Sequence, residues 1–360
     1  MNPSPLQSGR SEITLGKPKL LIIELWGMGD LVIATPFLRA ACEKYDLSLL
    51  AKPFALELQP RLWPGIKIFP FAAPWTAFKN KYQLWRWPIG QMMRLGRELA
   101  AEHFEYGLSG RWDPRDHFLL QGIGVRHRLG FPRIKSGVFL TQPLRQPDPL
   151  AHHYEYWRIA GQALGVQLPP REKLAAPERE PRHQVLVHSG ARLPARIWPL
   201  EKYLEMVRRL RAQGHRVQVA CDPDQLVWWQ KTGETAVICP RSVSELLALT
   251  DQSGVFIGNC SGPGHLAAIT GVPTFTIFGP SLLEWFAPLH PQADWFEGKS
   301  CPYKPCSDYC RFSAPECLWN ITVEEVWPRV HSFVERHLSR ASRPAGSPPR
   351  PATIMDAVAQ

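Results

Sequence analysis

The sequence lacks several features that would assign it to common classes of protein. No uninterrupted apolar run approaches the ~18 residues that a membrane-spanning helix needs. Residues 1–11 are polar and contain no apolar core of a secretion signal. There is no zinc-finger spacing, no aromatic RNA-binding signature and no internal repeat beyond a rough similarity of the two halves. These absences predict a cytoplasmic protein that does not bind nucleic acid.

Acidic residues are scarce relative to basic ones. The chain has 32 Asp and Glu against 42 Lys and Arg, which gives a formal charge of +10. Such an excess favours acidic partners such as anionic lipid or phosphorylated glycans. The 14 Trp residues often stand beside Arg, notably in the basic region 75–94. Trp beside Arg suits a sugar face or a membrane interface, while a place in the core is the alternative for any single Trp. Peripheral contact with an anionic membrane surface is therefore one prediction, and a freely soluble protein is the other.

The order of apolar runs and glycines predicts an α/β fold. Residues 19–26 form an apolar run typical of a buried parallel strand, glycines at 27 and 29 break it, and a helix is expected over 31–45. The second half alternates more regularly, with strands expected at 184–188, 216–220, 254–257 and 273–278 and helices at 200–213, 242–250 and 265–270. This alternation predicts two Rossmann-like, doubly wound domains that face a cleft.

Composition predicts the domain boundaries. The first domain is expected over 18–166, with an irregular insert at 60–90. A Pro-rich charged linker is expected over 167–184, and the second domain over 185–338. Residues 339–360 contain RPAGSPPRPA and are expected to be a disordered tail.

Three glycine-containing segments that follow strands are candidate sites. In the first, Gly29 and Asp30 precede a helix, where Asp30 is either an N-cap or a general base. In the second, Ser189, Arg192 and Arg196 follow the strand 184–188, in either a diphosphate-binding loop or a solvated basic loop. The third segment either binds an anion through its backbone N–H groups or only caps a helix. It combines small residues and a histidine at a helix start: Ser261, Gly262, Gly264 and His265.

Four of the eight cysteines form a cluster near the end of the second domain: Cys301, Cys306, Cys310 and Cys317. Four, three and six residues separate successive members, a looser spacing than paired C-x-x-C ligands have. A bound zinc or iron, four reduced thiols and a disulfide formed in air are the competing interpretations. Reduced thiols are favoured, and the cluster is expected to be remote from the chemistry.

Taken in order, these motifs resemble the heptosyltransferases of glycosyltransferase family 9. The resemblance runs from about residue 20 to residue 338 and rests on GMGD at 27–30, HSGA at 188–191, ARIWP at 195–199, SGPGHLAA at 261–268, GVPT at 271–274, FGP at 278–280 and ITVEEV at 321–326. It implies a GT-B fold with the acceptor in the first domain and the donor in the second. It also implies inverting transfer from ADP-heptose or a related nucleotide sugar to a lipid-linked oligosaccharide, with no catalytic metal and no cofactor.

The resemblance also implies roles for individual residues. Asp30 matches the family's proposed base, and Arg196 stands where the family usually has Lys. Cys260 replaces a usual Asp, and Asp224 is the candidate acid near the donor ribose. Two alternatives to lipopolysaccharide synthesis stay open: a heptosyltransferase that modifies proteins, and a non-catalytic relative that binds nucleotide sugars.

Overall fold

The computed structural model describes residues 16–77, 83–234, 236–306 and 309–341. The chain divides into two compact units, Met1–Pro170 and Arg171–Gln360, and the division falls inside the predicted linker. Of the predicted tail 339–360, the residues up to Ala341 belong to a helix. The remainder of that tail lies outside the described residues.

The first unit is built on a six-stranded parallel sheet with the order β3-β2-β1-β4-β5-β6. Its strands are β1 Lys19–Glu24, β2 Asp46–Ala51, β3 Lys67–Pro70, β4 Tyr106–Ser109, β5 His127–Gly130 and β6 Gln142–Pro143. Its α-helices are α1 Met28–Ile33, α2 Thr35–Lys44, α3 Ala55–Leu62, α4 Ile89–Ala101, α5 Pro114–Gly122 and α6 His153–Ala163.

The second unit repeats this plan. Its six-stranded parallel sheet has the order β12-β11-β10-β7-β8-β9. The strands are β7 Gln184–His188, β8 Arg216–Ala220, β9 Val237–Ile238, β10 Val255–Asn259, β11 Thr274–Phe278 and β12 Asp294–Glu297. The α-helices are α7 Leu200–Ala212, α8 Leu226–Lys231, α9 Val243–Asp251, α10 Gly262–Ile269, α11 Leu283–Phe286, α12 Glu316–Trp319 and α13 Val323–Ala341.

Both sheets reverse their strand order at one point. In the first unit the chain leaves β1 toward β2 on one side and returns to β4 on the other, so β1 and β4 are neighbours. In the second unit β7 and β10 are neighbours for the same reason. In open parallel sheets, ligands bind beyond the carboxyl ends of the strands at such a reversal. Ligand-binding residues are therefore expected among those that follow these four strands.

Two sequence predictions about the first unit need correction. The single helix expected over 31–45 is two helices, because Ala34 ends α1 and Pro36 stands at the start of α2. Proline is favoured in a first helical turn and disrupts a continuous helix interior. The insert 60–90 is not wholly irregular, since it contains β3 and the Leu84–Arg86 3₁₀ turn. Residues 78–82 of that insert lie outside the described residues.

Tryptophans divide between the core and the surface. Trp63, Trp198 and Trp229 are fully buried. The last two belong to the apolar core that packs α7 and α13 on the second sheet. Trp85, in contrast, has 82% of its surface exposed. In the described part of the chain, no helix combines the length and the apolar character that crossing a bilayer requires.

Candidate active site

Asp30 lies beyond the carboxyl end of β1. Gly27 is the N-cap of α1, and Asp30 occupies the third helical position rather than the cap position itself. Its Oδ2 accepts a hydrogen bond from the Gly27 backbone N–H (3.1 Å). This bond satisfies one of the donors that a helix start leaves free. Gly29 lies half-buried in the same turn. One carboxylate oxygen thus fixes the turn, while the other faces the neighbouring strand end.

Arg111 and His153 lie beside this second oxygen. Arg111 follows β4, and its Nη2 is 3.1 Å from Asp30 Oδ1. His153 begins α6, and its Nδ1 is 3.6 Å from the same oxygen. Arg111 Nη1 also donates to His153 Nδ1 (3.1 Å). The rings of Trp26 and Trp112 lie 5.5 and 5.1 Å from the Arg111 guanidinium. These contacts hold the arginine in place through cation–π attraction and hydrogen bonding.

The charges at this strand edge keep Asp30 ionised. Burial acts to raise the pKa of Asp30, but the Arg111 guanidinium, with a smaller effect of His153, holds that pKa well below its usual range. Burial lowers the pKa of His153, and the nearby Asp30 carboxylate opposes this effect. Glu24, the last residue of β1, is also buried at this edge. The result is a buried carboxylate that stays ionised beside a fixed cation.

Sequence reasoning missed Arg111, His153 and Glu24. The available signal was weak: Ser109-Gly110-Arg111 repeats the pattern of small residues after a strand. Only the adjacency of β1 and β4 brings Arg111 to Asp30.

In the second unit, Asn259 joins the loops that follow β7 and β10. Its Nδ2 donates to the carbonyls of Ser189 (2.8 Å) and Gly190 (3.3 Å). Its Oδ1 accepts from the Trp198 backbone N–H (2.9 Å). A buried amide that satisfies three backbone groups fixes loop positions strongly. The predicted second and third candidate segments therefore meet at the reversal between β7 and β10.

Arg196 lies at this edge, and one nitrogen of its side chain has no hydrogen-bond acceptor among the described residues. It ends the Pro194–Arg196 3₁₀ turn, and its Nε is buried without an acceptor among the described residues. A buried guanidinium nitrogen that lacks a protein partner suits an anionic ligand. Arg192, four residues earlier, is exposed.

The other predicted donor-binding residues differ in how accessible they are. The Ser189 hydroxyl is fully buried, donates to Gln225 Oε1 (2.8 Å) and accepts from Trp229 Nε1 (3.0 Å). Its side chain therefore supports the loop from within. Gly264 and His265 are buried in the first turn of α10, where their N–H groups donate to the Ser261 carbonyl (3.2 and 3.4 Å). Ser261, the N-cap of α10, and Gly262 are the members of this segment that reach the surface.

Asp222 lies directly beside the β7 loop, and the predicted Asp224 follows two residues later. Asp224 is exposed on the turn before α8. The Asp222 carboxylate lies against the Cα of Gly190, where a Cβ would collide with it. Burial lowers the pKa of His188, the last residue of β7, and Asp222 partly opposes this effect. Only glycine at position 190 allows this close approach.

The four clustered cysteines are near neighbours in space. Burial raises the pKa of Cys317 to about 11, and the thiols of Cys301, Cys306 and Cys310 add to this effect. The remoteness of the cluster from the transfer chemistry stays a prediction, but one member lies near a candidate donor-binding residue. The Cys306 N–H donates to the carbonyl of Pro280, just beyond β11 (3.0 Å), and Arg196 is close enough to lower the pKa of the Cys306 thiol against the effect of burial. In the part of the chain that the structure describes, none of the eight cysteines forms a disulfide.

Each unit contains a parallel six-stranded sheet with candidate residues at its strand reversal, and solved structures of heptosyltransferases share this GT-B fold. The chain belongs to glycosyltransferase family 9 (heptosyltransferase), whose family model matches residues 92–313, more than half of the 360 residues.

Two curated relatives are lipopolysaccharide heptosyltransferases. Lipopolysaccharide heptosyltransferase 1 of Pseudomonas aeruginosa is 24% identical over 313 residues, which cover 80% of this chain and 86% of that protein. Lipopolysaccharide heptosyltransferase 3 of Escherichia coli is 28% identical over 106 residues, which cover 27% of this chain and 31% of that protein. The latter match thus spans less than a third of the relative.

Solved structures share the fold at low sequence identity. Escherichia coli heptosyltransferase WaaC with ADP superimposes with a TM-score of 0.69 at 14% identity, over 88% of this chain and 99% of that chain. WaaC is also known with ADP-2-deoxy-2-fluoro heptose (TM-score 0.64, 14% identity, 87% of this chain and 99% of that chain). The iron-containing dodecameric glycosyltransferase TibC of enterotoxigenic Escherichia coli gives a TM-score of 0.53 at 18% identity, over 89% and 77% of the two chains.

Proposed function

We propose that this glycosyltransferase moves a heptose from ADP-heptose to a lipid-linked lipopolysaccharide core acceptor, with inversion at C1 and Asp30 as the general base. The observation that carries the proposal is the environment of Asp30, a carboxylate at the β1–β4 reversal that Arg111 keeps ionised. The lipopolysaccharide heptosyltransferases among its relatives, and the ADP-heptose analogue bound by WaaC, support the donor and the acceptor class.

In this mechanism Asp30 accepts the proton of the acceptor hydroxyl while the oxygen of that hydroxyl attacks C1 of the sugar. The bond from C1 to the diphosphate breaks on the opposite face, and ADP leaves with the electron pair. Direct displacement inverts the anomeric centre. The Arg111 guanidinium lies 3.1 Å from Asp30 and holds the carboxylate in its charged form.

The second unit would bind the leaving ADP. Arg196 presents a buried nitrogen without a partner among the described residues, and Ser261 and Gly262 stand at the start of α10. A guanidinium and a helix N-terminus both stabilise the negative charge that grows on the diphosphate. The proposed transfer therefore relies on these groups rather than on a metal. Asp222 is the acid best placed to meet a donor hydroxyl near Gly190.

Mass spectrometry of the products tests the function. The full chain is incubated with ADP-heptose and, separately, with other nucleotide sugars, each in the presence of truncated lipopolysaccharide or candidate acceptor proteins. A heptose added to truncated lipopolysaccharide, with the anomeric configuration opposite to that of the donor, supports the proposal. A heptose added to protein supports the protein-modifying alternative. Tight binding of ADP-heptose without transfer to any acceptor indicates a non-catalytic relative.

We also propose that the first unit attaches peripherally to an anionic membrane through an aromatic–basic patch. The patch consists of Leu84, Trp85, Ile89 and Met93, which are 60%, 82%, 53% and 55% exposed, together with the exposed Arg86, Arg94 and Arg97. These three arginines form no ion pair with another residue in the ranges that the structure describes. Exposed Trp beside unpaired Arg matches the interfacial zone of an anionic bilayer.

Vesicle sedimentation checks this attachment. With vesicles of phosphatidylglycerol and phosphatidylethanolamine, the bound fraction should be substantial at low salt and should fall steeply as salt rises. Replacing Trp85 and Met93 with Ser should reduce binding several-fold, because apolar area no longer enters the interface. Val227→Ser, which changes an exposed apolar residue of the second unit, is the matched control. Binding that does not change with salt concentration, or a double variant that binds like the control, would contradict the proposed role of the patch.

For the cysteine cluster we predict reduced thiols. Burial raises the pKa of Cys317 to about 11 and also raises the pKa of Cys306. These thiols therefore stay protonated at neutral pH and react slowly with oxidants. Protein purified without chelator should contain eight titratable thiols after unfolding and substoichiometric zinc and iron. A stoichiometric metal, such as the iron that TibC contains, would overturn this prediction. If its removal stopped turnover but left the fold intact, metal-independent transfer would be wrong as well.

A further inference from the structure

A second carboxyl group lies behind the candidate base. Glu24 ends β1 and has only 2% of its surface exposed. Its Oε1 accepts a hydrogen bond from the Trp26 backbone N–H (3.1 Å). Its Oε2 lies against Gly110, where a Cβ would stand only 3.0 Å from this oxygen. Glu24 is thus held between the ends of β1 and β4, the two strands that position Asp30 and Arg111.

Charged groups from four neighbouring segments face Glu24. Burial raises its pKa to about 7, and the negative charge of Asp30 on α1 acts in the same direction. Arg111 beyond β4 and Lys52 beyond β2 oppose this rise. Asp116 on α5 is also buried, and Glu24 contributes to the raised pKa of that carboxyl. Among these groups, Arg111 interacts with both Glu24 and Asp30.

We propose that Glu24 is a positioning residue of the transfer site, whose charge acts on Arg111 and Asp30 from behind and so controls how readily Asp30 takes a proton from the acceptor. This inference rests on the proposed role of Asp30 as the base. It assigns to Glu24 no contact with substrate.

The direction of the effect follows from the charges. Below neutral pH Glu24 is uncharged, and Arg111 acts mainly on Asp30, which makes Asp30 a weak base. Above neutral pH Glu24 is ionised, repels the Asp30 carboxylate and competes for Arg111. Both changes raise the pKa of Asp30, although it remains ionised because that pKa starts well below its usual range. A more basic carboxylate removes a hydroxyl proton faster, so the rate increases as Glu24 ionises.

The pH dependence of kcat with saturating donor and acceptor tests this inference. The unmodified protein should show a several-fold rise of kcat centred near pH 7, the value to which the pKa of Glu24 is raised. Glu24→Gln should remove the rise and keep kcat at the low-pH value throughout, because the amide is neutral and still accepts from Trp26. KM for the donor should be unchanged. A Glu24→Gln variant that keeps the rise overturns the inference.

Infrared titration separates this inference from the proposed function, since it needs no turnover. The absorption of a protonated carboxylic acid should disappear near pH 7 in the unmodified protein and in Asp116→Asn, the control for the second buried acid. In the Asp116→Asn background, where the second buried acid contributes no band, this absorption should be missing once Glu24→Gln is added. If the band persists in that double variant, Glu24 is not the group that titrates and the inference is wrong. If instead the titration is as expected but no sugar is transferred to any acceptor, the proposed function fails while the charge change at Glu24 stands.

Discussion

Asp30→Asn should lower kcat by about 100-fold or more while leaving the affinity for ADP nearly unchanged. The amide has nearly the same shape as the carboxylate but cannot accept the acceptor proton. Because Arg111 holds the pKa of Asp30 well below its usual range, the carboxylate is present at every practical pH. The loss should therefore be large at both acidic and alkaline pH. Steady-state kinetics with truncated lipopolysaccharide, combined with calorimetry of ADP binding, measures both quantities.

Asp46→Asn is the matched control, because Asp46 is an exposed residue at the opposite end of the first sheet. It should retain normal turnover. Thermal unfolding of both variants checks the fold, since Asp30→Asn also leaves Arg111 without its carboxylate partner. An Asp30→Asn variant that is folded and turns over at a near-normal rate removes Asp30 from the mechanism.

Arg196→Ala should weaken ADP binding by about 10- to 100-fold, the loss expected for a charge-assisted contact to phosphate. Adenosine has no phosphate, so its affinity should change little. Arg196→Lys should give an intermediate result, because an ammonium keeps the charge but not the planar pair of donors. Calorimetry with ADP and adenosine gives the comparison directly.

Arg216→Ala provides the control for this change, since Arg216 is exposed at the start of β8, away from the strand ends that carry the candidate site. It should bind ADP normally. Equal losses of ADP and adenosine affinity in Arg196→Ala would show that Arg196 supports the shape of the site instead of contacting phosphate.

The alternating architecture was predictable because its signals are local. Strands at 184–188 and 216–220 begin and end where the apolar runs do, and Gly214 follows α7 as a helix-ending glycine. The division of 31–45 into two helices was missed, although Pro36 was its visible cause. The helix α3 and the edge strand β3, between residues 53 and 70, contain too few residues for a sequence period to appear.

The candidate site was only partly predictable, because its residues meet through topology. Asp30 and Arg196 follow strands in recognisable glycine or Trp-Pro motifs. Arg111 and His153, however, are more than 80 residues from Asp30 in sequence. No local sequence pattern predicts that β4 lies beside β1. The contact of Asp222 with Gly190 depends on which side of a turn the carboxylate takes, and that also requires coordinates.

The Asn259 amide has a consequence for the cost of recognition. By tying the carbonyls after β7 to the backbone N–H of Trp198, it holds two loops in place before any ligand arrives. Ordering each mobile side chain at an interface costs about 0.5–1.5 kcal/mol of binding free energy. A ligand that binds to these loops avoids the corresponding cost, because the loops are already ordered. Specificity can then depend on the shape of a rigid edge, which tolerates few ligands of the wrong geometry. The same rigidity makes position 259 a single point at which one substitution would loosen both loops together.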